Sequence, residues 1–428
     1  MIKYVAKPKL GGVLRGPQKM PALRTSAIFL ISTVCIAQAF TQIGSFTFSA
    51  LLPVFFTEWG ITHTEAGWLS GIIFLAYAMS VPFILPLTDR IDPRSVYMCF
   101  VTLTSLSHLG MAFIAEGFWG GLVLRMFAGI GWGGTYMVGL KALADLIEGP
   151  KQSRAVAFHA GSIGAGGALS FLIAGYAAEH LDWQTAFMFS ALGSFIALVI
   201  MMICVPSRKP PSQKETSNTF AFRTVLKNKS AMAYAIGYCV HTWEMFTLRS
   251  WVVAFLVFTA AQGEQPNFFI PTVIAMLMEL IGTTMSIIGN EIAIRIGRRR
   301  WIYMVMISSM IFSVLIGFSA GLGYGVAAII CLTYNALIYA DSAALTAGTV
   351  GNAEPSRRGA TLAIHAMLGY GGGFIGPLVL GVLLDALGGE TIMNWGIAFS
   401  HVALIMMIGP IILRILRPKE LPGDRPSP

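Results

Sequence analysis

Twelve apolar runs, each close to twenty residues long, follow one another along the chain, centred near residues 38, 76, 105, 133, 168, 195, 244, 279, 310, 335, 372 and 404. A helix rising ~1.5 Å per residue needs about twenty such residues to cross a hydrocarbon core about 30 Å thick. No water is available there to satisfy backbone polar groups, so each run must close its hydrogen bonds internally, as a helix. The predicted fold is therefore all-α and integral to a membrane, with twelve spans. Composition agrees, since 55% of residues are hydrophobic and 11% charged, against about 25% charged in a soluble domain. Mean hydropathy is +0.71.

The stretch from Arg358 to Asp385 is crowded with glycine and echoes an earlier one. His159 matches His365, Gly166 and Gly167 match Gly372 and Gly373, Gly175 matches Gly381, and Glu179 matches Asp385, each pair 206 positions apart in a chain of 428 residues. Arg90 and Arg295, 205 positions apart, fall at a second matching place. The chain reads as one six-helix unit written twice. The expected division is a basic arm (1–24), a first half (25–205), a polar linker (206–230) rich in Pro, Ser and Lys, a second half (231–415) and a tail (416–428).

A net charge of +9 raises the question of nucleic acid, and its placement answers it. The arm holds Lys3, Lys7, Lys9, Arg15, Lys19 and Arg24 without an acid. The linker holds Arg208, Lys209, Lys214, Arg223, Lys227 and Lys229, and the tail Arg414, Arg417, Lys419 and Arg425. Alternate loops carry Glu58, Glu65, Glu116, Glu179, Asp182, Glu264, Asp385 and Glu390 instead. This is the positive-inside pattern with an even number of spans, so both termini are expected in the cytoplasm and no nucleic acid partner is implied. The five cysteines lie inside apolar runs without a CxxC pair and read as packing residues. The first apolar run follows the arm without a small-residue cleavage site, so no cleavable signal is expected. No cofactor motif and no P-loop is present, which points to an ion gradient as the driving force.

A parallel duplication of this kind is a secondary-transporter architecture, with the substrate site between the copies near the midplane. The residues also resemble the major facilitator superfamily over about 25–415. Its turn between helices 2 and 3, Gly-x-Leu-x-Asp-Arg-x-Gly-Arg-Arg, is matched by Leu87, Asp89, Arg90 and Arg94, with Leu85 and Asp92 at the glycine positions. The second copy keeps Arg295, Gly297, Arg298 and Arg299, with Ile294 at the acid position. The helix-4 Arg and glycines are matched by Arg125, Gly129, Gly131, Gly133 and Gly134, and the helix-5 glycines by the stretch from Gly161 to Gly167. The resemblance implies alternating access, with the matched turn residues as gating elements. The stretches of helices 7 and 11 look similar to carriers near the cyanate and nitrate porters, and to transporter-like proteins of the magnetosome membrane implicated in iron supply. Nitrate carriers place arginines on helices 2 and 8; this chain has no charge between Glu65 and Asp89, and has Glu279 on helix 8.

Ionisable side chains in mid-membrane cost on the order of 2.5–3.5 kcal/mol each, and so need a partner or a wet cavity. The candidates are Arg125, Glu244, Arg249, Glu279 and Asp341, with Lys141 and Asp145 nearer a helix end. His241, Glu244 and Met245 share helical spacing and could take a cation or pass a proton; this face would suit ferrous iron, since imidazole and carboxylate both ligate it. The structural alternative pairs Glu244 with an Arg on a neighbouring helix. Arg125 is expected either to attract an anionic substrate group or to compensate a carboxylate of the second half. His159 and His365 are expected to share a structural part, such as a hydrogen bond across the two-fold axis. Gly372, Gly373 and Pro377 are expected to form a sliding, bendable surface.

These readings converge on a proton-coupled carrier of a small solute, in a bacterial cytoplasmic membrane or a magnetosome membrane derived from it. Iron or another divalent cation, a small inorganic or organic anion, and amphipathic compounds for efflux all remain open as cargo. A carrier-shaped sensor or organiser of a membrane compartment, docking by its basic arm, is the alternative of another class. A monomer is expected to suffice, with membrane-protein partners possible.

Overall fold

The computed structural model describes residues 26–147, 150–207, 222–263, 269–354 and 357–425. The basic arm and much of the linker lie outside the described residues. The first copy forms α1 (Ala27–Gln42), α2 (Thr47–Ala50), α3 (Leu52–Glu58), α4 (His63–Leu87), α5 (Pro93–Phe113), α6 (Gly117–Gly133), α7 (Tyr136–Leu146), α8 (Pro150–His180) and α9 (Trp183–Cys204). After a short α10 (Phe222–Val225), the second forms α11 (Lys229–Ala261), α12 (Pro271–Ile296), α13 (Arg298–Phe318), α14 (Tyr324–Ala340), α15 (Ser342–Gly351), α16 (Arg358–Ala386), α17 (Ile392–Met406) and α18 (Ile408–Leu416). The described residues contain no strand.

Ten helices among the described residues are long and apolar enough to cross a membrane. The expected first and fourth runs are not among the ten, because each is broken. The first breaks at Gly44, whose missing side chain leaves room for the His108 ring; a Cβ there would come within 2.0 Å of it. The Phe46 N–H freed by that break donates to Ser170 Oγ of α8 at 3.0 Å, so the irregular backbone is satisfied inside protein. The fourth run breaks at Gly134, packed against Phe100.

Helix starts follow ordinary capping chemistry. Thr62 and Glu65 form a reciprocal capping box on α4, Asp182 accepts from Thr185 N–H at the head of α9, and Asn228 caps α11. The two motif turns solve one problem differently. Asp92, at a motif glycine position, caps α5 by accepting from Arg94 N–H at 3.0 Å. In the second copy Gly297 turns with φ of 99°, which favours glycine, and no side chain caps α13.

The duplication reappears in packing. Gly166 lets α8 approach the Ala39 carbonyl of α1, and Gly372 lets α16 approach the Cys239 carbonyl of α11; a Cβ would come within 2.5 and 2.2 Å of those oxygens. Gly175 lies against Thr272 of α12, and Gly381 against the His63 carbonyl of α4. The two copies thus meet along α4 with α16 and α8 with α12. Pro377, inside α16, presents its carbonyl to Trp251 Nε1 at 2.9 Å. The matched histidines do not join across the axis as expected. His159 meets the Tyr136 carbonyl of α7 at 3.0 Å, whereas His365 contacts Thr349 and Thr346 of α15 at 3.1 and 3.4 Å. Each bonds to the helix preceding it, because its ring points back into its own copy.

Apolar packing is continuous between the copies at one end only. One cluster joins Leu51, Phe55 and Phe187 of the first copy to Trp251, Phe255 and Trp395 of the second. At the opposite end the packing separates into clusters built from one copy each, one around Tyr97 and Leu143, another around Tyr234 and Ile302. The joined end is also latched by Asp385, the last turn of α16. Its carboxylate accepts from the His63 and Thr64 N–H groups at 3.1 and 2.7 Å and lies 2.8 Å from His63 Nδ1. It thereby caps α4 across the interface, where the helix dipole favours a negative charge. Asp385→Ala should remove about 1–2 kcal/mol of capping and let this end part. Spin labels at positions 58 and 387 would report a wider distance distribution; an unchanged distribution would show that the apolar cluster alone holds the end shut.

Candidate substrate site

The buried charges sort into separate groups. Arg249 of α11 and Glu279 of α12 form a two-pronged pair, Nε to Oε1 and Nη2 to Oε2, with both side chains almost wholly buried. The Arg249 guanidinium lies 4.4 Å from the Phe46 ring centroid, 5.5 Å from Phe246 and 5.6 Å from Tyr339. Phe46 belongs to the first copy, so the shell around this pair is drawn from both. Gly167 of α8 faces the same carboxylate, and a Cβ there would come 3.0 Å from Glu279 Oε2. An ion pair gripped in this fork geometry is directional and strong, provided that both partners remain.

Glu244 sits five residues earlier on α11 and meets no cation among the described residues. Its Oε1 accepts from Ser309 Oγ of α13 and from the Tyr334 hydroxyl of α14 at 2.8 Å. The Arg partner considered for it in the structural alternative is absent there; Arg249 is engaged by Glu279. His241 Nδ1 lies 2.9 Å from Asp341 Oδ1, an electrostatic contact without the alignment of a hydrogen bond. Asp341 occupies the break between α14 and α15, buried within the bundle. Tyr238 stacks between His241 and His365, with ring centroids 5.5 and 4.0 Å away.

The expected metal set does not converge. His241 faces Asp341, Glu244 faces two hydroxyls, and Met245 Sδ lies 4.0 Å from Arg249 Nη1. Successive residues on a helix are turned about 100° apart, so Glu244 reaches α13 and α14 while Met245 meets Arg249 one turn along its own helix. Among the described residues no group of three or more His, Cys, Asp or Glu side chains could hold a metal ion. Arg125 is buried on α6, donates from Nε to the Leu69 carbonyl and sits 4.7 Å from the Phe48 ring centroid. It pairs with no carboxylate of the second half among the described residues, and the cation that meets Glu279 is Arg249.

The gating residues lie at the end where the copies separate. Asp89 is 3.8 Å from Lys141 of α7, itself 3.0 Å from Asp145. Arg90 and Arg295 are exposed, and the Arg94 guanidinium donates to the Met202 carbonyl of α9. Arg298 is buried and clamped by Asp424 of the tail at 2.8 and 2.9 Å, with Asn290 Oδ1 at 2.9 Å. Gly372 and Gly373 seat α16 against Cys239 and Phe246.

Sequence reasoning passed over the aromatic side chains between the copies. Tyr77 of α4 and Tyr370 of α16 lie 4.0 Å apart by ring centroid, Phe74 and Phe246 3.9 Å, and Trp132 of α6 packs on both tyrosines at 5.0 and 5.5 Å. Trp132 Nε1 is buried without a hydrogen-bond acceptor among the described residues. A hydroxyl or indole carried at the middle or end of an apolar run was the available signal.

Apolar spans closed around buried, hydrogen-bonded charges define a polytopic integral membrane protein. A family model for the major facilitator superfamily matches residues 34–352, and the chain belongs to that superfamily. The niacin transporter NiaP of Acinetobacter baylyi is 23% identical over 172 residues, covering 40% of this chain and 39% of that protein. Protein spinster homolog 1 of Homo sapiens is 22% identical over 289 residues, covering 63% and 54% respectively. The chain thus spans between about a third and a little over half of the length of the curated relatives it matches. Among solved structures, the nucleoside transporter NupG superposes with a TM-score of 0.74 at 12% identity, covering 90% of this chain and 99% of that one. A bacterial homolog to the human lysosomal transporter Spinster, in an inward-facing and occupied conformation, gives 0.67 at 13%, covering 91% and 95%. At these identities the structures share the fold. The family and these relatives are transporters and not enzymes. The cyanate, nitrate and magnetosome neighbourhood expected from helices 7 and 11 has no counterpart among them.

Proposed function

We propose that the chain is a proton-coupled secondary carrier of a small organic solute bearing a carboxylate on an apolar or aromatic body. The observation that carries this reading is the Arg249–Glu279 pair inside an aromatic shell contributed by both copies. When Glu279 takes up a proton it releases Arg249, and a substrate carboxylate takes its place on the guanidinium. The buried charge is the same before and after, so the exchange avoids stranding an ion in low dielectric. Phe46, Phe246 and Tyr339 face the ring or chain of the solute. Relatives named for niacin and for 4-methylmuconolactone transport are in keeping with such a cargo. Glu244, held by two hydroxyls without a cation, is the second proton-carrying group.

The broken segments 27–58 and 117–146 complete twelve spans in two six-helix halves, 25–205 and 231–415. Both termini lie in the cytoplasm of a bacterium and the chain in its inner membrane, a reading supported by the basic residues of the arm, linker and tail. The latched Asp385 end then faces outward, and the end where packing separates faces inward.

The test is uptake of radiolabelled nicotinate and benzoate into sealed proteoliposomes with an inwardly directed proton gradient. Accumulation above equilibrium, collapsed by a protonophore, is expected, with no accumulation of ferrous ion in the same vesicles. If neither carboxylate accumulates or exchanges, the anion reading falls; ferrous uptake would instead restore the cation reading.

A further inference from the structure

A second site lies away from the interface between the copies. A groove of about 550 Å³ opens between the start of α13 and the end of α18, lined by Arg299, Arg300, Arg414 and Arg417. No acidic residue lines it, and none of the four guanidinia has a carboxylate partner among the described residues. Clustered like charges repel and create a positive potential that favours an anion among them. The groove lies where the apolar spans Arg298–Leu322 and Ile392–Leu416 begin and end, which is the depth of lipid headgroups.

The walls identify the anion's body. Tyr303 and Met304 line the groove and are 43% and 39% exposed. Deeper along α13 follow exposed Ile307 and Ile311, and along α18 exposed Ile411 and Ile408. At ~1.5 Å per residue these rows run roughly 10–15 Å from the arginines into the hydrocarbon region. A soluble phosphate would have no use for such rows, whereas acyl chains would lie along them. Arg417 strengthens the case, since it ends α18 with φ of 43°, the only positive φ outside glycine among the described residues. That strained cap turns the chain so that its side chain lines the groove.

We propose that this groove binds an anionic phospholipid, with phosphate on the arginines and acyl chains along the α13 and α18 rows. A lipid with two phosphodiesters, cardiolipin, matches four guanidinia better than a lipid with one. The site is independent of the substrate reading, because none of its residues touches the Arg249–Glu279 pair.

Native mass spectrometry of the full chain, titrated with cardiolipin, phosphatidylglycerol, phosphatidylcholine or inorganic pyrophosphate, tests it. Expected is retention in the order cardiolipin, phosphatidylglycerol, phosphatidylcholine. The combined R300Q, R414Q and R417Q variant should bind cardiolipin about a hundredfold more weakly, roughly fivefold for each guanidinium. The matching triple lysine variant should recover most of the affinity, which separates lost charge from lost fold. Equal retention of phosphatidylcholine, undiminished binding by the glutamine variant, or displacement of cardiolipin by pyrophosphate would each overturn the proposal.

Discussion

Glu279→Ala is expected to abolish transport and to lower stability by about 3–5 kcal/mol, the cost of leaving one buried charge without its partner. Arg249 has no second carboxylate partner among the described residues: Glu244, five residues before it on the same helix, is bonded to Ser309 and Tyr334 on other helices. Arg249→Met should do the same damage from the other side, stranding Glu279 against Gly167 and Phe46. Replacing both by methionine removes the stranded charge and should return the thermal midpoint to near its starting value, since apolar replacement of a whole buried pair is often neutral. Transport should not return. Thermal unfolding of the purified variants beside nicotinate counterflow separates the two effects. A double variant that is stable and still exchanges substrate would reduce the pair to a helix fastener.

The fold was largely legible because its causes are written locally. Run length sets the spans, and the 206-residue echo identifies glycines that make matched contacts, as Gly175 and Gly381 do against Thr272 and His63. Helix breaks were less legible. The first run looks continuous until the His108 ring on α5 needs the space at Gly44, a contact between residues 64 positions apart. Pairing of charges was least legible. Arg249 and Glu279 were both flagged by their depth, but which cation meets which carboxylate depends on the rotation of neighbouring helices about their axes. That rotation is set by packing summed over whole helix faces, and no short window contains it. His241, Glu244 and Met245 likewise looked like a donor set on one helix, yet His241 faces Asp341, Glu244 faces Ser309 and Tyr334, and Met245 faces Arg249 of its own helix. The aromatic shell was hidden by its ordinariness. Phe46 and Phe246 have the composition of lipid-facing residues and differ from them only in what lies opposite.

Glu244→Gln is expected to lower gradient-driven accumulation severalfold, to what the Glu279 proton alone can drive, while leaving substrate exchange at equal pH close to intact. Glutamine keeps the shape of glutamate and a carbonyl oxygen for the Ser309 and Tyr334 hydroxyls, so the fold loses little. What it cannot do is carry a proton. A carboxylate buried with hydroxyl donors and no cation can be neutralised in place, because one hydroxyl can turn to accept from the single O–H of the protonated form while the other goes on donating to its carbonyl oxygen. Glu279, by contrast, must give up its guanidinium to protonate, which ties its proton to the arrival of substrate. The two carboxylates therefore separate in experiment. Lowered accumulation with retained exchange in Glu244→Gln, set against loss of both in Glu279→Ala, assigns a second coupled proton to Glu244 and the substrate to the pair. If Glu244→Gln accumulates nicotinate like the unaltered protein, Glu244 is a packing element of α11, α13 and α14, and the coupling proton belongs to Glu279 alone.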